Sequence, residues 1–129
     1  MFKVRIITPE GFYGQYNASI LNVLTTDGHI GILANHMPLV AILETSVMNF
    51  VDEHKDRRLL AIGDGVLYFE NNIAQVLVSS CESRDEIDFE RAKAAHERAE
   101  KRLSSEHPNV DFKRAEKALK KAKNRLSLK

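Results

Sequence analysis

The periodicity of the apolar residues changes near residue 83, and this change constrains the fold more than any other feature. Up to that point the chain consists of short runs rich in Val, Ile, Leu, Thr and Phe, separated by Gly, Pro and Asn. Beyond it glycine is absent, and Ala, Glu, Lys and Arg dominate. Short apolar runs between turn residues are typical of strands, whereas a glycine-free, Ala-rich segment favours helices. The sequence therefore predicts an α+β chain, with a β-domain over residues 1–83 and a helical domain over residues 84–129.

The β-half divides into short apolar runs at close spacing, which predicts a β-sandwich or a flattened barrel. Asp27-Gly28 is a strong hairpin signal between two of these runs. The runs around 59–62 and 76–78 are expected at the centre of a sheet, and runs that carry charges are expected at its edges. The predicted strands cover residues 2–8, 18–26, 29–35, 39–43, 46–52, 57–63, 65–71 and 73–80.

The helical half contains two similar segments, each of which is expected to begin a helix. They are IDFERAKAA at 87–95 and VDFKRAEKA at 110–118. Asp88 and Asp111 are good N-cap residues, because a carboxylate accepts hydrogen bonds from the unpaired N–H groups of a first helical turn. Ile87 and Val110 precede the caps, where a hydrophobic staple begins. The segment SSEHPN at 104–109 is the expected turn between a helix ending near Arg102 or Leu103 and a second helix from about 112 to 126. A short turn predicts that the two helices form an antiparallel hairpin.

Each predicted helix has one apolar stripe, and alanine dominates both stripes. Because an alanine buries only about one CH₂-sized group, worth roughly 0.8 kcal/mol, such a stripe stabilises packing less than a leucine stripe does. We therefore expect a hairpin that can leave its resting place when a partner offers a better surface. The stripes comprise Phe89, Ala92, Ala95, Ala99 and Leu103 on the first helix, and Phe112, Ala115, Leu119, Ala122 and Leu126 on the second.

Composition excludes several classes of function. The net charge of +1 gives no global field for binding nucleic acid or an anionic membrane. The single cysteine, Cys81, cannot form an internal disulfide and fits a reducing compartment, as a buried or half-buried residue. No run approaches the roughly 20 apolar residues of a membrane span, and the N-terminus shows no targeting peptide. We expect a soluble intracellular protein, without nucleic-acid binding or direct membrane insertion.

No motif for catalysis is recognisable. The phosphate-binding pattern G-x-x-x-x-G-K-[ST] is absent, and Gly63-Asp64-Gly65 is better explained as a turn. The histidines at 29, 36, 54, 96 and 107 lack metal-ligand spacing, so no metal site is expected. The sequence thus predicts a protein that is not an enzyme by itself and that requires no cofactor.

The segment TTDGHIGILANHMPLVAIL, residues 25–43, carries a family resemblance. A Gly-containing turn leads to G-I-L, two residues, His, one residue, Pro and an apolar run. Together with I-D-x-x-R-A at 87–92 and the β-then-helix order, it resembles the epsilon subunits of F-type ATP synthases, of the bacterial type. Two departures lie in turns: Ala34-Asn35 replaces the common Pro-Gly, and Gly63-Asp64-Gly65 replaces paired glycines.

The resemblance implies a sandwich of about ten strands followed by the two-helix hairpin, placed in the rotating central stalk. The sandwich would bind the gamma subunit and the proteolipid ring, and so help couple proton-driven rotation to ATP synthesis on the beta subunits. The helices would extend along gamma, contact the alpha and beta subunits and inhibit ATP hydrolysis. The chain would then be peripheral, at the cytoplasmic face of the bacterial plasma membrane.

The resemblance also suggests two sets of site residues. Candidate contacts with the ring are Asp27, Gly28, His29, Ile30, His36, Met37 and Pro38. Some bacterial members bind ATP as a regulatory ligand through the I-D-x-x-R-A segment. Carried over by position, that site comprises Glu82, Ile87, Asp88, Arg91, Ala92, Arg98, Lys121 and Arg125.

Physical chemistry is compatible with the nucleotide, because guanidinium groups and an ammonium suit a triphosphate. Lys121 stands where arginine is expected, which reduces the bidentate grip. Asp111 and Arg114, in the second copy of the opening, are interpreted as capping alone. The alternative to a rotor subunit is a stand-alone β-sandwich adaptor with a helical oligomerisation tail.

Overall fold

The computed structural model describes residues 1–104 and 111–129. The chain divides into two compact units, Met1–Ser83 and Arg84–Lys129. The first unit contains strands and the second contains helices. Three features predicted from the sequence lie outside the described residues: Val110, His107 and most of the 104–109 turn.

The first unit contains nine strands among the described residues, each ended by turn residues as the sequence predicts. Asn71 and Asn72 adopt φ of 52° and 57°, the left-handed conformation that suits a tight turn between two strands. The strands are β1 Phe2–Thr8, β2 Gly11–Thr25, β3 Gly28–Leu33, β4 Leu39–Leu43, β5 Ser46–Asp52, β6 Arg57–Ile62, β7 Gly65–Glu70, β8 Ile73–Val78 and β9 Cys81–Ser83.

The strands form a β-sandwich. One layer has the order β1-β8-β7-β4, and the other has the order β3-β2-β5-β6-β9. Strand β2 joins the layers, because its first half pairs with β1 and its second half pairs with β3 and β5. Ala18 pairs with both Phe2 and Asp52, so β1 and β5 flank β2 on opposite edges. The pairing shifts register just after Ala18, where β2 passes from one layer to the other.

The core lies between the layers and is formed by alternate residues of the strands. Phe2, Val4 and Ile6 of β1 are buried, as are Met48 and Phe50 of β5. Phe2 meets Phe69 edge-on, with ring centroids 5.5 Å apart. The buried core residues of this cluster all belong to residues 2–81, so the sandwich has its own hydrophobic core. Cys81 is buried, as predicted.

The second unit is a two-helix hairpin. A 3₁₀ turn at Arg84–Glu86 precedes α1, Phe89–Ser104, and α2 spans Phe112–Leu126. Both predicted caps are confirmed. Asp88 Oδ1 accepts a hydrogen bond from the Arg91 amide at 3.0 Å, and Asp111 Oδ1 accepts one from the Arg114 amide at 3.1 Å.

Two expectations about the strands differ from the structure. β2 begins at Gly11 rather than at residue 18, because pairing with β1 recruits segment 11–17 despite its two glycines. That single long strand serves both layers, and the nine strands of residues 1–83 agree with a sandwich of about ten. β1 is not an edge strand, although it carries two charges: it lies between β8 and β2. The predicted central runs 59–62 and 76–78 are confirmed, since β6 and β8 each have two neighbours.

Candidate functional site

The outward face of the β1-β8-β7-β4 layer, here called the docking face, carries an unusual number of apolar side chains. Residues paired across neighbouring strands project from the same face of a sheet. The register therefore arranges this face in three rows, which run across the strands. The outer faces of sandwiches are normally polar, because solvent covers them.

One of the three rows is entirely apolar and spans five strands. Its outermost members, Phe12 and Ile42, are 61% and 60% exposed. The row consists of Phe12 on β2, Ile7 on β1, Leu77 on β8, Val66 on β7 and Ile42 on β4. Five adjacent apolar side chains on an outward face indicate a surface that another molecule covers.

The middle row is mixed. It consists of Gln15, Arg5, Gln75, Tyr68 and Val40, in the same strand order. Val40 is 65% exposed and extends the apolar area toward the start of β4. The third row holds Asn17, Lys3, Ile73 and Glu70. A groove of about 440 Å³ lies on this face, between Tyr68, Leu77 and Ile73. The docking face thus changes from polar to apolar across its rows.

The predicted ring contacts fall into two groups at opposite ends of β3. Asp27 and Gly28 form the hairpin turn before it, as predicted, and Gly28 has φ of 115°. His36, Met37 and Pro38 follow its other end. At about 3.3 Å per residue, six residues of strand separate the groups by roughly 20 Å. His29 and Ile30 lie on β3 itself.

The segment after β3 is fixed by contacts from two directions. Asn35 has φ of 65°, the left-handed conformation that glycine adopts most readily and asparagine tolerates. The His36 ring packs edge-on against Phe69, with centroids 5.9 Å apart, and its Nδ1 is 2.8 Å from the Met37 carbonyl oxygen. Met37, which is 77% exposed, is therefore displayed by an ordered segment.

A polar cluster centred on Asp52 stabilises the β5–β6 hairpin. Buried Asp52 accepts hydrogen bonds from the amides of His54 and Asp56, at 2.9 and 3.0 Å, and from Arg58 Nε at 3.1 Å. Burial favours the neutral acid, but these hydrogen bonds outweigh it and hold the pKa of Asp52 below its ordinary value. All of these bonds close the hairpin, so we assign the cluster to stability.

The candidate nucleotide residues are divided between the two units. Glu82 lies on β9 in the first unit, and the others lie in the second. On α1, Arg91 and Arg98 are exposed and seven residues apart, so they share one side of the helix. Each directly precedes a buried alanine, Ala92 or Ala99.

On α2, Lys121 directly precedes buried Ala122, and Arg125 follows it by three residues. Both cations therefore flank the buried stripe of their helix. The remaining candidates, Ile87 and Asp88, stand at the start of α1, where Ile87 is buried and Asp88 caps the helix. Within ranges 1–104 and 111–129, no group of three or more side chains could hold a metal ion.

Comparisons with known proteins cover both units. Residues 1–84 match the family described as ATP synthase, Delta/Epsilon chain, beta-sandwich domain, and residues 85–129 match the long alpha-helix domain of the same chain. This chain belongs to the ATP synthase delta/epsilon chain family. The outward apolar row and the alanine-striped helices are therefore features of an ATP synthase delta/epsilon chain.

Among relatives, the ATP synthase epsilon chain of Shouchella clausii is 39% identical over 105 residues, covering 81% of this chain and 78% of the relative. That of Ruminococcus albus is 40% identical over 107 residues, covering 82% and 79%.

Two solved structures share the fold. A chain of the Euglena gracilis mitochondrial ATP synthase, in a structure described as OSCP/F1/c-ring, has a TM-score of 0.79 at 20% identity, covering 94% of this chain and 76% of that one. A chain of the Tetrahymena thermophila mitochondrial ATP synthase, described as central stalk/cring, has a TM-score of 0.57 at 18% identity, covering 98% and 91%.

The sequence analysis of this delta/epsilon chain does not predict the docking face, although one local pattern indicates it. The run LVAIL at 39–43 does not alternate, and a strand that is apolar on both sides is typical of one covered on both faces. Val40 and Ile42 form the outward half of that run. The rows themselves depend on register between distant strands, which no local pattern reveals.

Proposed function

We propose that this chain is the epsilon-type rotor subunit of an F-type ATP synthase. In this role the sandwich binds the gamma subunit and the proteolipid ring, and it helps couple proton-driven rotation to ATP synthesis. The chain performs no catalysis itself and lies at the cytoplasmic face of the bacterial plasma membrane, held there by its partners. In the described residues no helix has both the length and the apolarity needed to cross a bilayer.

The all-apolar row of the docking face is the observation that carries this proposal. A rotor subunit must stay attached to its shaft under torque, and apolar area on a rigid sheet is well suited to such an attachment. Val40, Ile42 and Tyr68 remain 65%, 60% and 45% exposed in the isolated chain. We assign this face to the gamma subunit and the ends of β3, with Met37, to the ring.

The helices act as a conformational inhibitor of ATP hydrolysis in this proposal. The residues most buried on them are the alanines at 92, 99, 115 and 122, and four buried methyl groups contribute only about 3 kcal/mol. A partner surface of larger apolar area can therefore compete for the helices. The basic side chains of α2, including Lys113, Lys120 and Lys123, suit acidic surface on the alpha and beta subunits.

ATP is the proposed regulatory ligand of the folded hairpin. Arg91, Arg98 and Lys121 flank the alanine stripes and, within the described residues, make no side-chain ion pair. Their charges are thus available to a triphosphate, which would favour the folded hairpin over the extended one by mass action.

Deletion of residues 84–129 in the assembled enzyme tests the division of labour. We expect the truncated chain to co-purify with gamma, to support coupling and to relieve inhibition of hydrolysis. Loss of assembly together with unchanged inhibition would contradict the proposal. Recovery of an unrelated protein, without gamma, would favour the stand-alone adaptor instead.

A further inference from the structure

Arg5 occupies the centre of the docking face, where no described residue accepts a hydrogen bond from its Nε. It lies on β1 in the mixed row, between Gln15 and Gln75. Its side chain is half-buried, and its Nε is a buried nitrogen without a hydrogen-bond acceptor in the part of the chain that the structure describes. Neither flanking glutamine satisfies it. A buried donor without an acceptor costs free energy in the isolated chain, so it calls for a reason.

The surroundings of Arg5 on the docking face show why the described residues supply no acceptor. Glu70 is the one acid in the three rows, and it lies in the row next to that of Arg5 and two strands away, beyond Ile73 on β8. Glu53 of the β5–β6 hairpin reaches the third row, but there it accepts a hydrogen bond from Asn17 Nδ2 at 3.3 Å. The salt bridges of the described residues do not include Arg5. The described residues thus leave the Arg5 Nε without an acceptor, and a bound partner can supply one.

We propose that Arg5 is a specificity-determining anchor, and that the rotor partner presents a carboxylate to it from within an otherwise apolar surface. The N–H groups of Nε and of one Nη are spaced so that each can donate a hydrogen bond to one of the two oxygens of a carboxylate. Lys3, on the same strand and face, is exposed and lies in the third row, outside the proposed pair. The apolar row next to Arg5 excludes water when covered, which strengthens the pair.

This inference rests on the proposed function, because it requires that the docking face meets the rotor. It adds the chemistry that the partner's surface must have. That surface presents apolar side chains opposite Ile7, Leu77 and Val66, and one carboxylate opposite Arg5 in the adjacent row. A protein surface of that pattern would be selected over one that is apolar throughout, because the latter would leave a charged group buried and unpaired.

The test is the affinity of the full-length chain for the purified gamma subunit. We expect Arg5→Met, which keeps length and apolarity, to weaken binding by at least about tenfold, chiefly through faster dissociation. Arg5→Lys should recover only part of that loss, because an ammonium lacks this paired geometry of N–H groups. Lys3→Met, the matched control on the same strand and face, should change affinity less than about twofold, as expected for an exposed charge.

Two further readouts separate anchoring from a structural role. Because Arg5→Met removes an unsatisfied donor, its melting temperature should equal or exceed that of the parent chain. The salt dependence of binding should also become weaker. A fall in melting temperature that accounts for the lost binding would overturn the proposal.

A third variant, Val40→Asp, distinguishes a failure of the Arg5 anchor from a failure of the docking face as a whole. If Val40→Asp abolishes binding while Arg5→Met binds like the parent, the docking face stands and the anchor is refuted. If Val40→Asp also binds like the parent, the docking face itself is wrong.

Discussion

Asn35 and Asn72 hydrogen-bond to each other in both directions across 37 residues of sequence. The Asn35 amide donates to Asn72 Oδ1 at 2.6 Å, and Asn72 Nδ2 donates to Asn35 Oδ1 at 2.9 Å. The Asn72 carbonyl oxygen accepts a further bond from the Lys3 amide at 3.0 Å. One side chain thus ties the segment that displays Met37 to the β7–β8 turn.

We predict that Asn72→Gly releases this segment without disturbing the turn. Glycine tolerates the positive φ of 57° but removes both side-chain bonds. Stability should fall by about 1–2 kcal/mol, and amide exchange should accelerate at residues 35–37. Asn71→Gly is the matched control, because Asn71 has the same backbone conformation. Equal amide exchange rates in the two variants would show that the Asn35–Asn72 hydrogen bonds do not order the segment.

The stability of the sandwich should decrease in acid because of Asp52. Its folded pKa lies below the ordinary value of 3.8, so its contribution is present above that value and is lost as the pH falls through the folded pKa. Asp52→Asn should lower the denaturation midpoint at pH 7, and the difference from the parent should shrink in acid. The tyrosines at 13, 16 and 68 all lie in the sandwich, and tryptophan is absent, so tyrosine fluorescence follows this unit.

The matched control for this pH dependence is Asp56→Asn. Asp56 lies in the same hairpin, but its side chain is exposed and only its backbone serves Asp52. That variant should keep the parent's pH profile. A profile that is unchanged in Asp52→Asn would mean that the ion pair with Arg58 contributes nothing to folding.

The repeated helix opening supplies a control for the nucleotide site. Both copies cap a helix with the same geometry, so Asp88→Ala and Asp111→Ala should each cost about 1 kcal/mol of helix stability. In an ATP titration of the purified chain, Arg91→Ala and Arg98→Ala should lose a saturable response that Arg114→Ala keeps. A response unaffected in Arg91→Ala and Arg98→Ala, or absent from the parent chain, would remove the site.

Charge in the alanine stripe should shift the helices toward the inhibitory arrangement. Ala99 is 2% exposed on α1, so Ala99→Glu would bury an unpaired carboxylate, at a cost of about 3 kcal/mol or more. We expect reduced helix pairing in the isolated chain and stronger inhibition of hydrolysis in the assembled enzyme. Ala94→Glu, at an exposed position of the same helix, should behave like the parent. Unchanged inhibition in Ala99→Glu would refute the proposed competition for the helices.

How far the sequence predicts the structure depends on whether the signal is local. The caps at Asp88 and Asp111, the hairpin at Asp27-Gly28 and both helices follow from neighbouring residues, and the sequence predicts them. The segment 11–17 is interrupted by Gly11 and Gly14, which weaken the local strand signal, and it pairs along β1, so its strand is not predicted from local residues.

The same limit applies to the candidate site. The outward apolar row joins residues from five strands, and the missing acceptor of Arg5 is visible only once those strands are paired. Charges in β1 were attributed to an edge, whereas they lie on an outer face. By contrast, the ring contacts and the nucleotide residues came from family resemblance and stay predictions.

The most direct test of the account compares Ile42→Asp with Leu59→Asp in binding to the gamma subunit. Both residues are exposed and apolar, at 60% and 47%, but Ile42 lies on the docking face and Leu59 lies on β6 of the other layer. We predict that the Ile42→Asp variant folds but no longer binds gamma, and that Leu59→Asp still binds it. Retention of gamma by Ile42→Asp, or equal loss in both variants, would contradict the assignment of this face to the rotor.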